Sequence, residues 1–279
     1  MSPGYPGRFP PKAGAGRPQL TRALHTVLDT CRQDIAAFRT APARPWDKPS
    51  VHGGREPVTE LDLILQERLT AVLGRAFPGI PVIAEEGLAE IPALPDDCLL
   101  VDPLDGTAPF LAGSSDYAIA VCLVRDGIPD QGVIDLPAHR IRVSAAPGVL
   151  HVTGDVTRLP RYGPRTVLTS PSHTSTVRAR LSDTTWSVQP VATASVKITH
   201  VALGRAPAAV YAPRPGSGAA PWDYPAAALA VAAAGGTVRD TAGNDLARTR
   251  PTRLDGWLAQ LPSPDADLSA LLRTTAPNP

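Results

Sequence analysis

Apolar residues recur with helical spacing at Leu20, Leu24, Val27, Leu28, Cys31 and Ile35, which predicts an amphipathic helix from about Gln19 to Phe38. A polar loop containing Pro and Gly comes next, through Gly54. The stripe Leu61, Leu65, Leu69 and Leu73 predicts a second helix from Glu60 to Phe77, ended by Pro78-Gly79. The pattern then shortens. Pro81–Ala84 and Cys98–Val101 have the length of buried strands. Tyr117–Arg125, Gly132–Asp135 and Arg140–Ser144 read as successive strands, with turns at Asp126-Gly127 and Pro137.

The second half alternates differently. Thr166–Leu168 reads as a strand, Ser195–Leu203 as a helix, Ala208–Tyr211 as a strand and Trp222–Ala234 as a helix. Gly235-Gly236 caps that helix and Thr237-Val238 begins another strand. The expected fold class is mixed α/β. An α+β half covers 19–145 with a largely antiparallel sheet, and an α/β half covers 146–279, the two sharing one body. No internal repeat is visible. Residues 1–18, rich in Pro and Gly, read as a disordered tail without the apolar core of a secretory signal.

Composition narrows the function classes. The 279 residues suffice for a sizeable core. A net charge of +1 gives no reason to expect nucleic acid or a membrane surface as partner. Three cysteines, Cys31, Cys98 and Cys122, have no zinc-site spacing and are too few and odd for a disulfide framework. A reducing, cytoplasmic setting is expected. The alanine-rich run at 226–234 is too short to span a bilayer.

Chemistry concentrates after the apolar run Leu99-Leu100-Val101, which leads into Asp102-Pro103-Leu104-Asp105-Gly106-Thr107. A buried strand delivers the residues after it to the end of its sheet, where sites form. Two carboxylates three residues apart on a turn can converge on one point. Pro103 stiffens the path between them, and Gly106 permits close approach of the backbone to a ligand. Carboxylates with exposed carbonyls suit magnesium, and paired ions can clamp the attacking and leaving oxygens of a phosphate ester. Two aspartates do not suffice, so further acids are required. Glu85-Glu86 closes another strand, and neighbouring extended residues face opposite ways, so one of the two reaches the site. Asp62 stands at a helix start, where electrostatics alone also favours an acid. Asp223, in Trp222-Asp223-Tyr224-Pro225, reads either as a helix N-cap or as a ligand.

Taken together, Pro57-Val58-Thr59-Glu60-Leu61-Asp62, Ala84-Glu85-Glu86-Gly87, Asp102–Thr107 and Trp222-Asp223 with Gly235-Gly236 resemble the inositol monophosphatase family of lithium-sensitive, magnesium-dependent phosphatases, in order and spacing across roughly 20–245. The resemblance implies a layered αβαβα sandwich of the inositol monophosphatase and fructose-1,6-bisphosphatase type. It implies two to three magnesium ions held by Glu85, Asp102, the Leu104 carbonyl, Asp105 and Asp223. Asp62 and Thr107 would orient and deprotonate the attacking water, with Glu85 also serving catalysis. The Gly106 and Thr107 N–H groups would hold the phosphate. A homodimer is implied as well.

For the substrate, Ala194-Ser195-Val196-Lys197, Ser170-Pro171-Ser172-His173 and Tyr211-Ala212-Pro213-Arg214 resemble the branch that acts on 3′-phosphoadenosine 5′-phosphate. Ser195, Lys197 and Arg214 are the substrate-binding candidates; Lys197 and Arg214 also read as solvated surface charge. His52 is a loop histidine beside the Pro57 segment, and His139 and His200 read as structural or exposed. Two features depart from the family pattern: Ala108-Pro109 comes after the aspartate loop, and Pro221 precedes Trp222. Both alter the substrate rim and spare the acids. The expected activity is hydrolysis of a small soluble sugar, inositol or nucleoside phosphate. The alternatives are a 3′-nucleotidase, a sugar bisphosphatase, or a magnesium-binding interaction protein that has lost catalysis.

Overall fold

A computed structural model describes residues 20–40, 44–49, 55–88, 90–212, 218–262 and 268–272. The tail expected over 1–18, His52 and Arg214 lie outside the described residues.

Five layers stack through the molecule. The outer layer pairs α1 (Leu20–Thr40) with α2 (Glu60–Ala76). Beneath it lies a six-stranded sheet of β3 (Val82–Ala84), β4 (Cys98–Asp105), β5 (Ala118–Arg125), β6 (Ile128–Leu136), β7 (Ile141–Ala146) and β8 (Val149–Thr153), in that spatial order. Only β3 and β4 run parallel; the remaining neighbours are antiparallel. The third layer is α5 (Ala194–Ala202) with α6 (Pro225–Ala233). The fourth is a five-stranded sheet of β9 (Thr166–Thr169), β10 (Ser187–Pro190), β11 (Ala208–Tyr211), β12 (Thr237–Asp240) and β13 (Trp257–Gln260), ordered β10-β9-β11-β13-β12. The fifth carries α4 (Thr174–Arg180) and the turn at Ser269–Leu272. A hairpin of β1 (Trp46–Pro49) and β2 (Arg55–Val58) stands apart from both sheets, and the five-residue α3 (Thr107–Leu111) comes directly after β4.

Burial explains the continuous apolar runs. In β4, Leu99 and Val101 pack towards α1 and α2, while Cys98 and Leu100 pack towards α5 and α6. Both faces are covered, so no polar alternation is needed. The same logic makes α6 apolar all round: residues 225–231 are buried between the two sheets. Its small side chains allow close contact, since a Cβ added to Gly132 of β6 would meet Ala226 Cα at 2.7 Å.

Some expected boundaries move. The strand expected to stop at Val101 continues through Asp105. The helix expected from Trp222 begins at Pro225. The stretch read as a loop through Gly54 contains β1.

Candidate active site

The continuation of β4 has a mechanical consequence. Asp102 pairs with Ala120 and Asp105 with Ala118, so two residues of β4 oppose one of β5. This bulge inserts one extra residue. Residues three apart in a regular strand face opposite sides; the extra residue restores the parity and turns both aspartates to one side. Pro103 sits inside the bulge, where no ladder donor is needed. The Leu104 N–H donates to Asp102 Oδ1 at 3.1 Å and fixes the bend.

A cavity of about 190 Å³ opens at this point, lined by Glu56, Pro57, Glu85, Asp102, Leu104, Asp105, Gly106, Thr107, Ala108, Pro109 and Asp223. Every metal-ligand candidate and both phosphate-binding candidates therefore reach one wall. Glu85 arrives at the end of β3, its N–H bonded to Val101 O at 3.1 Å. Glu86 turns away. Gln66 of α2 brackets its backbone, with 2.8 Å from Glu86 N–H to Gln66 Oε1 and 2.9 Å from Gln66 Nε2 to Glu86 O. Glu85 lines the cavity and Glu86 does not.

Asp223 does not cap α6. Tyr224 occupies the N-cap and Pro225 the first turn, while Asp223 Oδ2 accepts from Ala220 N–H at 2.7 Å. Asp62 is 1 % exposed and stands behind the wall rather than on it. Its Oδ2 accepts from Thr59 N–H at 2.8 Å, which stabilises the start of α2. Its Oδ1 accepts the Thr107 hydroxyl at 2.6 Å. Asp62 thus serves the helix start with one oxygen and faces Thr107 with the other.

The site repels itself. Burial, then the charges of Glu85, Asp105 and Asp223, push Asp102 well above the usual carboxylate range. Burial, then Asp105 and Glu85, do the same to Asp223. Burial pushes Glu85 up to about 7 against the opposing pull of Lys48. Asp105 is raised by burial, and the Ser195 hydroxyl and N–H, the latter at 2.8 Å, offset part of that. Among the described residues no three acids, histidines or thiols close into a finished metal cage. The donors nonetheless fit magnesium: four carboxylates and the Leu104 carbonyl are hard oxygens, and their mutual repulsion is what a divalent cation relieves.

The substrate candidates take other positions. Ser195 spends its hydroxyl and N–H on Asp105. Lys197 is 1 % exposed, neither on the surface nor on the cavity wall. Its ammonium donates to Ser170 Oγ and Ala192 O, both at 3.0 Å, and lies 5.6 Å from the Trp257 ring centroid. Burial draws its pKa down to about 8 against the pull of Asp105, Asp223 and Asp116. Ala108 and Pro109 do line the cavity, as their departure from the family pattern implied.

Lys48 joins the site without a sequence signal. From β1 it reaches Glu85 Oε1 at 3.0 Å, Glu86 Oε2 at 2.6 Å and Glu56 Oε1 at 3.4 Å. No local pattern marks a single lysine in a short exposed strand.

Comparison with known proteins gives the family and the fold. The model of the inositol monophosphatase family matches residues 31–265. Histidinol-phosphatase of Mycobacterium tuberculosis is 36 % identical over 92 residues, 33 % of this chain and 35 % of that protein. The 3′(2′),5′-bisphosphate nucleotidase CysQ of Aggregatibacter actinomycetemcomitans is 39 % identical over 85 residues, 29 % of this chain and 31 % of that protein. The matched stretches thus span about a third of the length of these curated relatives. A solved structure described as an IMPase/NADP phosphatase complexed with Mg2+ and phosphate superposes with a TM-score of 0.69 at 18 % identity, over 86 % of this chain and 90 % of that one.

Proposed function

Because this chain belongs to the inositol monophosphatase family, we propose that it is a magnesium-dependent phosphomonoesterase acting on a small soluble phosphate ester. The observation that carries this reading is the convergence of Glu85, Asp102, Asp105 and Asp223 on one cavity with Thr107, itself bonded to Asp62.

Glu85, Asp102, the Leu104 carbonyl, Asp105 and Asp223 would hold two to three magnesium ions. Bound there, magnesium supplies charge neutralisation for the phosphate and an activated water. The chain's own groups do the rest. Thr107 donates its hydroxyl proton to Asp62 Oδ1, which leaves lone pairs of Thr107 Oγ1 to accept a proton from the attacking water. That proton passes through Thr107 towards Asp62, whose other oxygen stays anchored to Thr59. The Gly106 and Thr107 N–H groups bind the phosphate. Ser195 orients Asp105 by two hydrogen bonds.

The cavity accommodates a phosphate head with its ions, smaller than the 300–1,000 Å³ typical of sites that enclose a whole ligand. The alcohol part of the substrate therefore rests on the rim formed by Glu56, Pro57, Ala108 and Pro109. Lys197, the candidate partner of a second phosphate, is engaged with Ser170 and Ala192 instead.

A cytoplasmic homodimer completes the proposal. Support for the compartment comes from the three free, buried cysteines, and for the dimer from the family resemblance. No described helix is long and apolar enough to cross a membrane.

The test is phosphate release from a panel of inositol, sugar, amino-alcohol and nucleoside phosphates, with and without magnesium. Turnover of at least one monoester that vanishes with chelator is expected. A folded chain that hydrolyses no ester in the panel refutes the reading.

A further inference from the structure

A second cavity, of about 440 Å³, lies on the α1 side of the six-stranded sheet. Residues Asp29, Arg32, Gln33, Ile35, Ala36 and Arg39 of α1 form one wall. Tyr117, Pro137 and Arg140 complete it from the start of β5 and the β6–β7 turn. No residue of the candidate active site lines it, so the inference stands apart from the phosphatase reading.

The charges here do not balance. Asp135 is fully buried and takes Arg32 on both oxygens, at 2.7 and 2.8 Å. Arg142 joins from β7, with 2.8 Å to Asp135 Oδ1 and 2.8 Å to Asp29 Oδ1. Two arginines and two carboxylates thereby neutralise one another. Arg39 and Arg140 remain. Arg39 donates to Ser114 O at 2.8 Å, and its guanidinium lies 4.7 Å from the Phe110 ring centroid and 5.2 Å from that of Tyr117. Stacking and a carbonyl hold the group in place, but neither is an anion. Arg140 caps the Pro137–His139 turn at φ 55°, which projects an exposed side chain from the opposing element. Neither Arg39 nor Arg140 has an ion-pair partner among the described residues.

We propose that this cavity is a second anion site, taking the phosphate group of a small phosphorylated molecule between Arg39 and Arg140. Two guanidiniums with surplus charge match the charge and the forked geometry of a phosphate monoester dianion. The apolar lining of Ile35, Ala36, Tyr117 and Pro137 receives the organic part. The volume exceeds what the phosphate alone requires.

Titration of the full chain with inorganic phosphate in excess chelator tests this, followed by 31P line broadening. The chelator removes magnesium, and the repelling carboxylates of the active site then disfavour an anion there. Saturable binding is expected, weakened about tenfold by Arg140→Gln and by Arg39→Gln, and unchanged by Arg22→Gln, an exposed arginine of α1 outside the cavity. Arg140 is exposed, so its variant folds even if loss of the Arg39 stacking perturbs its neighbours. Phenyl phosphate should bind at least as tightly as phosphate, because its ring adds contacts to the apolar lining. Chloride at matched ionic strength should leave the affinity in place. Failure to saturate, an Arg140→Gln variant that binds like the parent, or equal competition by chloride overturns the proposal.

Discussion

The Lys48 ammonium lies 3.0 Å from Glu85 Oε1, so a hairpin outside both sheets supplies a positive charge to the carboxylate wall. The same ammonium reaches Glu86 and Glu56, which makes Lys48 the resident counter-charge at this edge of the site. A cation that binds Glu85 must compete with it. Lys48→Met should therefore lower, several-fold, the magnesium concentration that gives half of the full thermal stabilisation. Melting curves across a magnesium series measure this. A midpoint equal to or above that of the parent chain would show that Lys48 assists the metal instead.

The mutual repulsion of the acids gives a pH signature. Glu85 binds its proton more tightly folded, at about 7, than at its ordinary 4.5. Between these values the folded chain holds a proton that the unfolded chain has released. Stability from this source is full below 4.5 and is lost as pH rises through about 7. Asp102 and Asp223 are displaced in the same direction. Magnesium replaces those protons, so the rise in Tm on adding a fixed excess of magnesium should grow with pH across this window. A constant or shrinking rise would count against the assignment of these acids as ligands.

His200 carries the opposite sign. It is 2 % exposed, and burial lowers its pKa from 6.5 to about 4. The folded chain keeps it neutral while the unfolded chain takes up a proton, so stability is full above 6.5 and falls as pH drops towards about 4. The shift corresponds to about 3 kcal/mol at the acid end. The stability difference between the parent and His200→Gln should narrow by that order as pH falls through the window. Denaturant melts of both chains at several pH values test it; parallel curves exclude His200 as the source.

Gly106 has φ of 100° and is pressed between two segments. An added Cβ would overlap Thr193 Oγ1 and stand 2.7 Å from Asp116 O. Gly106→Ala should cost at least about 2 kcal/mol from left-handed strain and overlap. It should also disturb the adjacent Thr107. Near-parental melting and turnover in that variant would contradict the described bend.

Thr107→Val keeps the shape and removes the hydroxyl that links the cavity to Asp62. Turnover should fall about a hundredfold or more, the scale of lost general base assistance, with Tm nearly unchanged. Asp102→Asn should abolish turnover, also in a folded chain. Activity near the parental level in either variant would remove that residue from the proposed chemistry.

The acids were read from the ends of apolar runs and the edges of helical stripes, positions that local pattern reports, although Asp102 lies inside β4 and Asp223 precedes the N-cap of α6. The bulge was not. Its effect depends on the register with Ala118 and Ala120 of another strand, whereas the apolar run alone ends β4 at Val101. Lys197 illustrates the same limit. A lysine in a short helix reads as surface or ligand-facing until Trp257, Ser170 and Ala192 are brought around it from other parts of the chain. The hairpin of β1 and β2 escaped because it is charged, contains Pro49 and Pro57, and pairs only with itself. The helices α1 and α2 emerged near their true limits, since one buried stripe against one sheet leaves an unmistakable spacing.

Helix α6 has no free face. Its residues from 225 to 231 are enclosed by both sheets, and Asp223 hangs just before its first turn. The two sheets cannot separate, even partly, without moving this carboxylate out of line with Asp102 and Asp105. Local opening that leaves these three carboxylates in line is therefore confined to elements outside the two sheets and α6. Cooperativity of unfolding and integrity of the acidic site become one property: the capacity to bind a divalent ion should vanish in the same transition that melts the sheets.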